Sequence, residues 1–365
     1  MAALRDVTIR EGTQMPGREY GVEARVAAAR ALDRLGLDAV QVGFPVVGET
    51  DREAIRRVAG DDGVDADIVG IARARTGDVE AALDAEADVI EVFVPTSERQ
   101  LENVLGTSRE EAMEMAAAAL DRAREGGAGV HLTLVDGFRT DPTHLVDAFE
   151  RFPSVPTITV ADTVGARIPD RVRTVVADLR DRGVDGDRLG VHFHDDVGVA
   201  VANTLAAVGA GATTADVSVA SLGERAGNAA LERVVVGDRI DGPGAFDLDE
   251  TELVPVCEAV LDALDESVDP RTPILGRDVT THESGIHTAA MLRDPATFEP
   301  FDPAEFGGKR RLVFGPGSGR GSAHGLLERA GIEPTDERIA RLLDLLSERG
   351  PMDAAAASEL VEGTF

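Results

Sequence analysis
Eight short apolar runs alternate with eight segments of helical spacing along roughly the first 240 residues, and no other property of the chain restricts its fold as tightly. The runs at 4–9, 39–44, 67–72, 88–94, 129–135, 157–161, 190–194 and 215–220 read as strands. The segments 22–35, 52–58, 78–83, 108–125, 142–149, 169–179, 198–207 and 228–236 carry apolar residues at helical intervals. Ser108 and Glu111 form a capping-box pattern, and Pro169 opens another helix. The strand runs are β-branched with little polar alternation, as strands covered on both faces must be. Strict alternation of this length fits a closed (β/α)8 barrel of the α/β class, a TIM barrel, better than an open doubly wound sheet. The barrel is expected over 1–245, with a smaller, α-rich C-terminal annex over 246–365. In the annex, 250–264 and 339–346 read as helices, and Pro255 is placed to kink the first.

Charge then narrows the partners. The 365 residues hold 67 Asp and Glu against 37 Lys and Arg, a formal net charge of −30. Such a surface repels phosphate backbones and anionic lipid, which argues against nucleic-acid and membrane partners. Lys309 is the single lysine, so arginine supplies the remaining cations. An acidic, lysine-poor chain suits concentrated salt, where self-repulsion is screened; a halophilic habitat is one reading and a GC-rich genome the other. Cys257 is the one cysteine, which excludes an intrachain disulfide and a cysteine-rich zinc site. The start shows no signal-peptide pattern, and no stretch approaches the ~20 apolar residues of a membrane span. A cytoplasmic location is expected.

In a (β/α)8 barrel the reacting groups lie at the C-terminal ends of the strands. Arg10, Glu11 and Gln14 follow the first strand, Arg73 and Arg75 the third, and Thr96 and Ser97 the fourth. Asp136 and Arg139 follow the fifth, Thr163 the sixth, His192 and His194 the seventh, and Glu224 and Asn228 the eighth. Residues two apart on a strand share a face, so His192 and His194 point together. With Glu11 they make a two-His, one-carboxylate set, to which Asn228 can add an amide oxygen. Nitrogen and oxygen donors without thiolate suit Mg²⁺, Mn²⁺ or Zn²⁺. The competing reading is a pair of histidines satisfied by barrel hydrogen bonds. Asp195 and Asp196 make the neighbourhood more acidic. His282 and His287 lie five apart across Gly285, unlike the i,i+4 pair of a zinc-protease helix, and are candidates for acid–base work. His131 reads as structural and His144 as a surface group.

Six segments in this order carry a resemblance. They are Thr8-Ile-Arg-Glu-Gly-Thr-Gln14, Gly43-Phe-Pro-Val46, Asp162-Thr-Val-Gly165, His192-Phe-His-Asp-Asp196, Gly223-Glu-Arg-Ala-Gly-Asn228 and His282-Glu-Ser-Gly-Ile-His287. The chain resembles the acyl-CoA-dependent 2-oxo-acid condensing enzymes, the 2-isopropylmalate, homocitrate and citramalate synthases. These share a metal-dependent barrel with the hydroxymethylglutaryl-CoA lyases. The resemblance implies a divalent metal (Mg, Mn or Zn) on Glu11, His192, His194 and Asn228, and acetyl-CoA as co-substrate. It implies that Arg10 stabilises charge on the substrate oxygen, and that Gln14, Arg139 and Thr163 bind the 2-oxo acid. His287 and Glu224 fall in the catalytic set with Arg10. The annex is expected to pack over the partner's barrel in a homodimer, so that His287 serves the partner's site.

Departures from the family pattern are local. Val135 stands where the synthases carry a glutamate, Gln100 where many isopropylmalate synthases carry histidine, and Pro316-Gly317 where the family has Lys-His. Glu11 and the segment 136–141 lean toward homocitrate synthases, and 43–46 toward isopropylmalate synthases. No regulatory domain is expected behind the annex. The alternatives are a hydroxymethylglutaryl-CoA-lyase-like C–C lyase and a divergent paralogue of low activity. Those lyases carry a reactive cysteine in a glycine-rich loop, whereas Cys257 falls in an apolar helical pattern, which argues against the lyase.

Overall fold
Eight parallel strands close on one another, in chain order, in the computed structural model, which describes residues 1–240, 242 and 244–365. They are β1 (Ala3–Asp6), β2 (Ala39–Gly43), β3 (Asp67–Arg73), β4 (Val89–Pro95), β5 (Gly129–Val135), β6 (Thr157–Asp162), β7 (Leu189–Phe193) and β8 (Thr214–Val217). β8 pairs with β1 from Ala3↔Thr214 to Asp6↔Val217, which completes the barrel. The helices of this part are α1 (Thr8–Gly12), α2 (Val22–Asp33), α3 (Glu49–Ala59), α4 (Thr76–Asp84), the single turn α5 (Glu98–Gln100), α6 (Arg109–Glu125), α7 (Pro142–Arg151), α8 (Pro169–Asp181), α9 (Ala200–Gly209), α10 (Leu231–Ile240) and α11 (Leu253–Ala263). Val40, Val42, Ile68, Ile90, Leu132, Ile158 and Val191 are all buried, as a doubly covered parallel sheet requires. The capping box of α6 is formed: the Ser108 hydroxyl accepts from the Glu111 amide, and the Glu111 carboxylate accepts from the Ser108 amide at 3.0 Å.

Three strand ends differ from expectation, and each difference shapes the rim. β1 stops at Asp6, because the Asp6 carboxylate accepts from the Thr8 amide at 2.8 Å and from its hydroxyl at 2.7 Å. These bonds turn the chain into α1, so Arg10 and Glu11 ride on a helical turn rather than on a strand end. β7 stops at Phe193, and His194 bridges instead to Asn228. β8 stops at Val217, and Val219–Ser221 form a 3-10 turn.

Two compact units divide the chain, Met1–Ser267 and Val268–Phe365. The first extends past the barrel end expected at 245, because α11 packs on α2 and buries Leu253, Val256 and Val260. Pro255 sits in the first turn of α11, where its missing N–H costs no intrahelical bond, so 253–263 runs as one helix. In the second unit, α12 (Gly285–Met291), α13 (Arg320–Arg329), α14 (Asp336–Arg349) and α15 (Ala354–Glu362) surround a core that includes Phe314, Leu327, Leu342 and Leu346. The sequence reading missed a three-stranded sheet there: β9 (Thr281–His282), β10 (Arg311–Phe314) and β11 (Met352–Asp353), with β10 central. Strands of two to four residues are too short to print a period-two pattern. Among the described residues no helix is long and apolar enough to cross a membrane.

Inside the barrel, four strands bring together one buried polar side chain each. Arg5, Gln41, Glu91 and Asp216 are at most 4% exposed. Arg5 is the hub: it lies 3.0 Å from Glu91 and 2.6 Å from Asp216, and donates to the Thr159 hydroxyl at 2.8 Å. His131 Nδ1 lies 3.0 Å from Arg5 and accepts from it; burial and that guanidinium push its pKa down to about 3. The neutral ring fits its structural reading. Arg5→Met strands two buried carboxylates, and is expected to lower the unfolding free energy by about 3–5 kcal/mol in chemical denaturation. Arg30→Met, which breaks an exposed ion pair with Asp61, is expected to leave the midpoint unchanged.

Candidate active site and metal centre
The C-terminal rim gathers Glu11, His192 and His194, with one donor atom of each within 4.8 Å of the others. His192 Nε2 lies 3.4 Å from His194 Nε2 and 3.6 Å from Glu11 Oε1. All three side chains are buried. Asn228 is also buried, with its amide nitrogen 3.1 Å from His192 Nε2. Glu11 Oε2, His194 Nδ1 and Asn228 Oδ1 have no hydrogen-bond partner. Two imidazole nitrogens face to face, beside orphaned carboxylate and amide oxygens, are a donor set without its acceptor. A divalent cation would satisfy these three orphaned atoms, whereas both ring nitrogens of His192 already have hydrogen-bond partners within the barrel.

Protonation states agree with ligand chemistry. Burial opposes ionisation of Glu11, but Arg10 and the two imidazoles hold its pKa below the ordinary carboxylate value. Burial, then the neighbouring His192, pushes His194 down to about 3, which keeps it neutral with a lone pair to give. His192 Nδ1 lies 3.0 Å from Asp216 Oδ2 and donates to it, so Nε2 is the basic nitrogen. Burial works to raise the Asp216 pKa, yet Arg5 and His192 hold it low. A continuous chain of contacts runs from Glu11 to His192. Arg10 is bonded to Glu11 and, at 2.8 Å, to Gln41; Gln41 donates to Glu91 at 3.1 Å; Arg5 joins Glu91 to Asp216, and Asp216 holds His192.

The rim loops need glycine where backbone crowds the cluster. Gly227 has φ +81°, and a Cβ there would lie 1.6 Å from the Ser221 carbonyl oxygen. The turn from 223 to 228 therefore closes tightly enough to return Asn228 to His192. Asp136, wholly buried at φ +59°, is a non-glycine residue in left-handed backbone at the end of β5.

A cavity of about 170 Å³ sits at the cluster. Arg10, Glu11, Gln14, Glu91, Thr133, Thr163, His192, His194 and Glu224 line it, together with Phe44, Ile71, Phe93, Val135 and Ala161. The Thr163 hydroxyl accepts from the Asp136 amide at 2.8 Å. Glu224 is exposed and lies 3.2 Å from Arg225.

Several expected residues lie elsewhere. Arg139 does not line this cavity; it is paired with Asp136 through two bonds of 2.7 and 2.6 Å and borders a neighbouring one. Arg73 is likewise held by Asp78 at 2.6 and 3.0 Å. Asp195 caps the start of α9 through the Ala200 amide, and Asp196 pairs with Arg225 at 2.8 Å, so neither joins the histidines. His287 belongs to the second unit, its ring stacked on Phe298 at 4.0 Å and 6.2 Å from His282.

Sequence reasoning missed Arg5, Gln41, Glu91 and Asp216. The signal was present as charged or amide residues within buried strands, which are retained only when paired.

The chain has clear relatives. Residues 2–260 match the HMGL-like family model, and 274–350 match the model for a homocitrate synthase post-HMGL domain-like segment. A probable 2-isopropylmalate synthase of Methanopyrus kandleri is 39% identical over 347 residues, covering 94% of this chain and 69% of that protein. A homocitrate synthase, AksA, of the same organism is 39% identical over 351 residues, covering 94% and 87%. Among solved structures, a hydroxymethylglutaryl-CoA lyase from Pseudomonas aeruginosa superposes with a TM-score of 0.64 at 23% identity, over 76% of this chain and 97% of the other, a likeness of fold. Asp216→Asn is expected to weaken Mn²⁺ binding about 10–100-fold in calorimetric titration, because the His192 tautomer and ring orientation are no longer fixed.

Proposed function
The chain belongs to the HMGL-like family, and from that premise we propose that it condenses acetyl-CoA with a 2-oxo acid whose side chain is small and apolar. Relatives named 2-isopropylmalate synthase and homocitrate synthase support a condensing synthase. The observation that carries the reading is the convergence of Glu11, His192 and His194 at a substrate-sized cavity.

In the reaction, the methyl carbon of acetyl-CoA gives up a proton and bonds to the keto carbon, whose oxygen takes up a proton. Water then splits the thioester and frees CoA. A divalent cation on Glu11, His192, His194 and Asn228 would supply Lewis-acid polarisation of the keto group. Arg10, its Nε held by Gln41 and one terminal nitrogen by Glu11, keeps its other terminal nitrogen for the oxygen that gains charge. Thr163 accepts from the Asp136 amide, which leaves its own O–H to donate to the acceptor, and Gln14 stands at the mouth. Glu224 and His287 serve as the acid–base pair, His287 being delivered by the annex of the partner in a homodimer.

The lining selects the acceptor. Phe44, Ile71, Phe93, Val135 and Ala161 offer apolar surface, and Arg10 is the one guanidinium lining this cavity among the described residues. A second carboxylate on the acceptor would be desolvated there without a partner, at heavy cost. Val135, where the family carries glutamate, adds to the apolar wall. The lyase alternative is disfavoured because Cys257 is fully buried in α11, with its thiol pKa raised by that burial.

Thiol release from acetyl-CoA with Mg²⁺ or Mn²⁺, in KCl from dilute to molar, tests the reading. Pyruvate, 2-oxobutyrate or 2-oxoisovalerate is expected to exceed 2-oxoglutarate by at least about 100-fold in kcat/KM. Preference for 2-oxoglutarate would overturn the acceptor class, and a failure of every acceptor to elicit CoA release would overturn the condensing activity itself. Mixing inactive His194→Ala chains with inactive His287→Ala chains is expected to restore part of the activity through mixed dimers. No recovery after verified subunit exchange would remove His287 from the partner's site.

A further inference from the structure
A second cavity, of about 540 Å³, lies against the loops after β4, β5 and β6 and shares no lining residue with the first. Arg99 of α5, Arg109 at the start of α6, Arg139 in the turn after β5, Arg167 before α8 and Arg171 on α8 all line it. Only two carboxylates, Glu98 and Asp141, face them there. This excess of cations stands against a chain with 67 acidic residues and 37 basic ones.

How the guanidiniums are held matters more than their number. Elsewhere on the surface arginines find acids, as in Arg56 with Glu53, Arg122 with Glu80 and Arg151 with Glu110. Here Arg167 is clamped on the Phe138 carbonyl oxygen at 2.9 and 2.6 Å, and Arg109 donates to the Thr96 carbonyl at 3.0 Å. A carbonyl fixes a guanidinium without neutralising it. The Nε of Arg109 is buried and has no hydrogen-bond partner. Arg99 and Arg171 have no carboxylate partner among the described residues. Arg139 is neutralised by Asp136, and Arg167 lies within electrostatic reach of Asp162 without an ion-pair contact.

We propose that this cavity binds a phosphate-bearing polyanion. Guanidiniums arriving from different elements, two of them anchored on carbonyl oxygens and four of them outside any ion pair among the described residues, match an anion with many oxygens and more than one charge, and exceed what a single carboxylate needs. The phosphates of the acyl-CoA co-substrate and those of a free phosphorylated ligand share this chemistry.

Inorganic pyrophosphate is the probe, titrated calorimetrically into the metal-free full chain at the lowest KCl that retains the native circular dichroism spectrum. One saturable site is expected. The double variant Arg99→Ser/Arg171→Ser is expected to weaken it at least about tenfold. The double variant Arg30→Ser/Arg173→Ser removes the same charge from surface ion pairs with Asp61 and Asp170, and is expected to stay within about twofold of the native chain. Absence of saturable binding, or equal losses in the two double variants, overturns the proposal. The KM for acetyl-CoA and for S-acetylpantetheine, which has no phosphate, identifies the source. A rise for acetyl-CoA alone in Arg99→Ser/Arg171→Ser assigns the cavity to the co-substrate, whereas unchanged values beside weakened pyrophosphate binding assign it to a free ligand. The pyrophosphate measurement stands apart from the condensing activity; the KM comparison rests on it.

Discussion
The pairing of Arg5 with Glu91 and Asp216 at the barrel axis is the interaction on which the rim depends. A guanidinium and two carboxylates buried together hold one another in place, because removing any one leaves an uncompensated charge in a dry interior. Asp216 passes that fixity to His192, and Glu91 passes it through Gln41 to Arg10 and so to Glu11. The rim cluster is thereby braced from below by side chains of four strands. A site supported in this way keeps its donor atoms converged before any ligand arrives.

Backbone geometry supplies the remaining precision. The Asp6 turn converts the end of β1 into α1, which brings two consecutive charged residues, Arg10 and Glu11, over the barrel mouth. The close approach of Gly227 to the Ser221 carbonyl returns Asn228 to His192. Left-handed backbone at Asp136 ends β5, and Asp136 then pairs with Arg139, away from the small cavity. The two cavities differ in chemistry as a result: one sets a patch of five apolar side chains beside the Glu11, His192 and His194 donors, the other is lined by arginine. Opposite local characters within a chain of −30 show that net charge describes the exterior and not the sites.

Much of this was legible in the sequence, and for stated reasons. The eightfold alternation sets the barrel, because helical and strand periodicities cannot be exchanged. His192 and His194 are legible as a pair because residues two apart share a face, and Glu11 as their partner because the segments after β1 and β7 both end at the C-terminal rim. Rim charges were less legible. Arg73, Arg139, Asp195 and Asp196 sit at strand ends as the pattern indicates, but their nearest partners are Asp78, Asp136, the Ala200 amide and Arg225. Position along a strand fixes which rim a residue joins; it does not fix which neighbour wins its side chain.

By itself, then, the sequence determined the barrel and the donor types at its mouth. The tertiary structure alone decided which buried polar residues of β1, β2, β4 and β8 meet, where Arg139 points, and that five arginines gather in one cavity. The physical reason is range. Periodicity, capping and turn chemistry act over a few residues and are written in order along the chain. Charge pairing inside a barrel joins residues such as Arg5 and Asp216, separated by 211 positions, only after closure has set their distance and removed the water between them.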